Sequence, residues 1–183
     1  MSVEVLDESG TGADVAELAR LSRFVLDRMR LHPQTELCLR LVDEDTIGQL
    51  NERWMDTRGP TDVLAFPMDE LTPGSLTDVL HGADDGDDDG DEPPEAEAYL
   101  GDLALCPAVA ARQAGEHGHS TADETDLLTV HGILHLLGYD HAEPDGHREM
   151  FALQERLLTE WRDVRADRGD APGTDRIDGS PSP

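Results

Sequence analysis

The chain contains no lysine: all 14 of its basic residues are arginine, they face 41 acids, and the formal net charge is −27. A field of that sign repels polyanions, which excludes broad electrostatic attraction to nucleic acid or to an anionic membrane. Any nucleic-acid partner must instead be gripped by a local arginine patch or by a metal ion. Cysteine is nearly absent. Cys38 and Cys106 stand far apart in separate apolar runs, which excludes a disulfide framework or a Cys-rich zinc ribbon and reads as two buried free thiols. No apolar run approaches the ~18 residues of a membrane span, and the start Met1 to Leu6 lacks the basic and long apolar regions of a signal peptide. A cytoplasmic location and no membrane partner are therefore expected. The hydrophobic share of 37% lies below the roughly 45–50% of an average chain, a figure that also counts Gly. The 183 residues suffice for one domain but not all of them for its core.

The shortfall is concentrated in one place. Between residues 73 and 97 Gly, Pro and Asp dominate, nine acids fall from Asp84 to Glu97 without a basic residue, and no periodicity survives. Such a stretch cannot bury enough apolar area to offset its ordering entropy, so a disordered acidic insertion is expected there. The Asp84 to Asp91 run lacks the spaced ligands and terminal Glu of a calcium loop. From Arg162 the chain is polar and rich in Pro and Gly, which divides it into a domain over 1–162 and a disordered tail over 163–183.

Periodicity supplies the elements between. Alternation predicts strands at Ser2 to Leu6, Glu36 to Val42, Asp62 to Phe66 and Tyr99 to Cys106, with Gly101 permitting close backbone approach in the last. Helical spacing predicts helices from Asp14 to Met29 and from Asp43 to Arg53, the second with Asp43 or Asp45 as N-cap. Pro107 suits the first turn of a helix to about Glu116. Ser120 followed by Asp123 resembles a capping box and opens the next helix. Asp145 caps a last helix to about Trp161, with Met150, Leu153, Leu157, Leu158 and Trp161 as its apolar stripe. Thr61 and Asp62, ahead of a strand, read equally as turn chemistry and as functional residues.

The helix that follows Ser120 carries the chemistry. In His131-Gly-Ile-Leu-His135-Leu-Leu-Gly138-Tyr-Asp140-His141, residues four apart share a helix face, so His131 and His135 present their rings side by side. Gly138 takes the left-handed conformation that ends a helix, which lets the chain return and bring His141 beneath the pair. Three protein nitrogens with a fourth position left for water form a catalytic zinc arrangement, whereas structural sites usually close with four ligands and lean on Cys. His117, His119 and His147 do not share this spacing and are read as surface residues. The ligand spacing is also that of metzincin proteases, but those carry Glu directly after the first His as general base. Here that position is Gly132, and losing a general base costs a factor of ~10²–10⁴. Peptide hydrolysis is demoted, while RNA, which brings its own 2′-hydroxyl nucleophile, needs less help.

The histidine motif, preceded by Leu50-Asn51, by Pro60-Thr61-Asp62-Val-Leu-x-Phe-Pro67 and by Leu100-Gly101-Asp102, resembles the YbeY family of bacterial metal-dependent single-strand endoribonucleases and rRNA maturation factors. The resemblance runs from about Leu37 to Trp161. It implies an α+β single domain, a small mixed sheet packed with about five helices, and one zinc-type ion on His131, His135 and His141, other divalent metals being alternatives. It further implies single-stranded RNA as substrate, a role in 16S rRNA 3′-end processing and late 30S subunit maturation, and ribosomal or GTPase proteins as partners. In this frame Arg58, and more weakly Arg53, offset phosphate charge, and Asp102 or Asp140 orients a histidine ring. The family often has Arg directly after the aromatic at Trp54; this chain has Met55. Two alternatives remain open: a maturation factor whose metal is mainly structural, and a zinc metallopeptidase.

Overall fold

A computed structural model describes residues 1–68, 99–140 and 144–169. The acidic segment 73–97, His141 and the chain beyond Gly169 lie outside the described residues. Among the described residues nine elements follow in order: β1 (Ser2–Asp7), α1 (Val15–Arg28), β2 (Glu36–Leu41), α2 (Glu44–Met55), β3 (Val63–Pro67), β4 (Tyr99–Leu105), α3 (Pro107–His117), α4 (Thr121–Leu136) and α5 (Pro144–Asp167). The strands form one mixed sheet in the order β1-β2-β4-β3. β1 with β2 and β2 with β4 are parallel, and β3 returns antiparallel along β4. Among the described residues, four strands and five helices in one domain match the α+β expectation.

The helix starts are set by side chains that catch otherwise unpaired N–H groups. Asp14 accepts from the Glu17 amide at 2.9 Å, Asp43 from the Thr46 amide at 2.7 Å and Ser120 from the Asp123 amide at 3.1 Å. Each such cap is worth about 1 kcal/mol. Strand alternation then decides which face is covered. Leu37, Leu39 and Leu41 of β2 and Leu103 and Leu105 of β4 point into the main core, where Ile133, Leu134 and Leu136 of α4 are fully buried against them. Leu64 and Ala104 point to the opposite face and meet Ile47 of α2 in a smaller cluster. α4 lies on β3 and β4 and also touches α1, α3 and α5, so it is the central helix of the layer.

One boundary and one burial differ from the sequence expectation. α5 continues to Asp167, past the expected end at Trp161 and into the segment read as tail. Its polar last turns are tied down by charge: Arg165 reaches Asp126 at 2.9 Å and Glu17 at 3.3 Å, and Arg168 reaches Glu17 at 2.8 Å. The Arg168 guanidinium also covers the Trp161 ring at 4.7 Å. Of the two thiols, Cys106 is fully buried as expected, but Cys38 is only partly covered. The reason is register: Cys38 lies on the face of β2 opposite the core leucines.

Candidate metal centre and RNA cleft

α4 presents His131 and His135 one turn apart, on the side of the helix that borders an open cleft of about 440 Å³. Their Nε2 atoms stand 3.1 Å apart with the rings nearly perpendicular, at 80°. The helix is rigid beneath them because Val130, Ile133, Leu134 and Leu136 are wholly buried. Its end is equally defined. Gly138 has φ +84°, its amide donates to the His135 carbonyl, and the Tyr139 amide donates to the Leu134 carbonyl, both at 3.0 Å. This pair of bonds is the Schellman termination expected of a glycine just past a helix, and it reverses the chain directly after the two histidines. His141 itself lies outside the described residues.

The other nitrogen of the first histidine is held from a distant part of the chain. His131 Nδ1 lies 2.9 Å from Gln154 Oε1, and Gln154, on α5, is buried. An amide oxygen only accepts, so Nδ1 carries the proton and Nε2 keeps its lone pair toward the cleft. Gly132 fills the position where a protease would carry its base. A Cβ there would stand 2.8 Å from Leu103 Cδ2 and 3.2 Å from Val63 Cγ2. In the close seat of α4 on the sheet, a side chain at 132 would have to displace the Leu103 and Val63 methyl groups.

The remaining sequence candidates are distributed differently. Asp62 does perform turn chemistry, accepting from the Val63 amide at 2.8 Å and the Thr61 hydroxyl at 3.1 Å. It also lines the histidine cleft and accepts from Gln113 Nε2 at 3.0 Å. Asp102 occupies the face of β4 opposite Leu103, away from α4, where it accepts from the Tyr99 hydroxyl at 2.6 Å. Burial and the Asp102 carboxylate push the Cys38 thiol up to about 11. Asp102 is thus engaged with Tyr99 and Cys38 rather than with a histidine ring. Asp140 is exposed just beyond Gly138. Arg58 stands in the loop after α2 with a 92% exposed side chain, 3.5 Å from Glu52.

A second groove opens on the other side of β3, lined by Arg40, Trp54, Met55, Phe66 and Asp102 among others. Trp54 is 60% exposed, the Arg53 guanidinium lies 5.2 Å over its ring, and Phe66 meets it edge-on at 6.3 Å. Ala65 lines both grooves. The turn between α3 and α4 holds a further group that the motif spacing did not reveal. His117 and His119, exposed as expected, converge on the buried Glu124, with all ligand atoms within 4.8 Å of one another, a set able to hold a metal ion. Gln154, Gln113 and Glu124 were not singled out by sequence; the only available signal was polar residues on otherwise apolar helix faces.

A solved structure from Thermotoga maritima superposes with a TM-score of 0.58 at 26% identity, covering 98% of this chain and 99% of that one. A protein from Nocardioides sp. strain JS614, named Endoribonuclease YbeY, is 62% identical over 162 residues, 88% of this chain and 99% of the relative. One from Acidothermus cellulolyticus with the same name is 58% identical over 177 residues, 96% of this chain and 100% of the relative. The family profile described as Endoribonuclease YbeY matches residues 7–162, which spans both grooves and the whole of α4. With the histidine pair, the glycine seat and the sheet order on one continuous match, the chain belongs to the YbeY endoribonuclease family, a family of nuclease hydrolases.

Proposed function

We propose that the chain is a metal-dependent endoribonuclease that cuts single-stranded RNA, with one zinc-type ion held by His131, His135 and His141. Its substrate on this reading is the 3′ end of 16S rRNA, and its task is late maturation and quality control of the small ribosomal subunit, guided by ribosomal or GTPase proteins. The observation that carries the metal reading is the pair of ring nitrogens 3.1 Å apart on the cleft wall. Two nitrogens on one tetrahedral ion, each bonded at about 2.0–2.1 Å, stand about 3.3 Å from each other. The pair therefore already has the bite such an ion needs. When bound, the ion supplies Lewis-acid polarisation of a phosphate oxygen or a water of lowered pKa.

The chain's own residues do the rest. Gln154 holds the His131 tautomer, the buried side of α4 fixes the spacing of the rings, and Phe151 walls the cleft with an apolar ring. Trp54 with Arg53 above it offers the stacking surface that an unpaired base accepts and a base pair does not. Arg53 and Arg58 offset phosphate charge against the acidic remainder of the surface. A strand lying across β3 at Ala65 meets this surface and the histidine cleft together.

The test uses the full chain stripped with chelator and an end-labelled 16S rRNA 3′ fragment, single-stranded or annealed to its complement. Cleavage of the single strand alone is expected, restored by zinc. His135→Ala is expected to lose both metal and cleavage while circular dichroism is unchanged. Unaltered cleavage by that metal-free variant overturns the proposal. A folded, zinc-loaded protein that cuts no RNA points instead to a maturation factor with a structural metal, and turnover of casein points to a peptidase.

A further inference from the structure

We infer that the turn between α3 and α4 forms a second site for a zinc-class divalent cation, with His117, His119 and Glu124 as ligands, at the far end of the same cleft. The ligand set is built by the turn itself. α3 ends at His117, Gly118 has φ +77°, and Ser120 caps α4, so two imidazoles separated by one residue fold back over the first turn of α4. Both meet one carboxylate. His119 Nε2 contacts Glu124 Oε2 directly, and His117 Nδ1 lies 3.7 Å from the same oxygen. Glu124 is 3% exposed, and a carboxylate at that depth requires cationic or hydrogen-bonding partners. Two imidazoles and a carboxylate with an open fourth position match the donor set of a zinc site with protein ligands on three sides, and imidazole donors disfavour calcium or magnesium.

A separate observation concerns the same cleft. Gln113 lies one turn before His117 on α3, so the two share a face. Its Nε2 donates to Asp62, which leaves its Oε1 buried with no hydrogen-bond partner among the described residues. Gln113, His117, Glu124, His131 and His135 all line one cleft. A buried orphan oxygen is costly unless something supplies a donor or a cation.

The second site is distinct from the histidine pair. Glu124 and His131 are seven residues apart on one helix, which places them about 10 Å apart along its axis. Paired catalytic ions stand only about 3.5–4 Å apart. The cation at Glu124 therefore serves as an anchor rather than a partner in bond cleavage: it places positive charge in the cleft of a −27 chain, where a neighbouring backbone phosphate of the strand can meet it. The phosphate role rests on the RNA reading above; the metal site itself does not.

The experiment counts zinc on the chelator-stripped full chain by competition with a chromophoric chelator, without any activity measurement. Wild type is expected to bind two equivalents. His119→Ala and His117→Ala should each bind one, His135→Ala one, and His119→Ala with His135→Ala none. His117 is largely exposed, so His117→Ala keeps the reading valid if a change at Glu124 unfolds the chain. One equivalent in wild type, removed by His135→Ala, overturns the second site and leaves the first intact. Two equivalents in both His117→Ala and His119→Ala also overturn it. If two equivalents are found, His117→Ala should raise KM for single-stranded RNA at least fivefold with kcat within twofold; an unchanged KM overturns the anchoring role.

Discussion

Replacing Gln154 by Leu tests how the histidine pair is prepared for a metal. In the metal-free protein His131 can respond by moving its proton from Nδ1 to Nε2, where His135 Nε2 lies 3.1 Å away as acceptor. With a metal on Nε2 that escape is closed, and Nδ1–H is left against hydrocarbon in place of its 2.9 Å bond to a buried amide oxygen. An unmade buried hydrogen bond costs about 1–3 kcal/mol, and the cost falls almost entirely on the loaded form. Zinc affinity should drop by about 10–100-fold, the range found for groups that support a ligand. Gln154→Glu keeps an acceptor at the same place and should bind zinc at least as tightly as wild type. Competitive chelator titration of the apo proteins reads both, with apo melting temperature as the fold control. A Leu variant that binds zinc within twofold of wild type refutes the positioning role of Gln154.

Two further predictions concern the frame around the site. Gly101 has φ +139°, and a Cβ there would stand 2.3 Å from the Phe66 carbonyl oxygen; Gly101→Ala should cost at least about 3 kcal/mol in urea unfolding, and a loss below about 1 kcal/mol would contradict the β3–β4 register. Burial, only partly offset by Arg165, pushes the Asp126 carboxyl up to about 6. The folded chain then holds a proton that the unfolded carboxyl, titrating near 3.9, has released. The stability tied to Asp126 is therefore full below about pH 4 and lost as pH rises through about 6, by at most about 3 kcal/mol. Urea midpoints should show this fall in wild type and not in Asp126→Asn, and identical slopes would remove Asp126 from the account.

Short-range physics accounts for most of what was legible in the chain beforehand. Ser120 and Asp43 cap helices through atoms three residues away, Gly138 ends α4 through bonds to Leu134 and His135, and the i, i+4 spacing alone brings the two histidine rings together. Gly132, read as a missing base, also lies where Leu103 and Val63 of the sheet pack closely against α4. The illegible part consists of contacts between distant segments. Asp102 was a candidate orienter of a histidine, but β4 alternation turns it to the other face of the sheet. His131 is oriented by Gln154, 23 residues away, and Asp62 meets Gln113 across 51.

The sequence by itself determined the elements, the paired histidines, the acidic net charge and the family, because each rests on local spacing or on composition. The tertiary structure decided which face of each strand looks at α4, which polar side chains enter the cleft, and that His117 and His119 share a buried Glu124. Those outcomes depend on how helices and strands pack, and no local pattern carries the energy of contacts made across the fold.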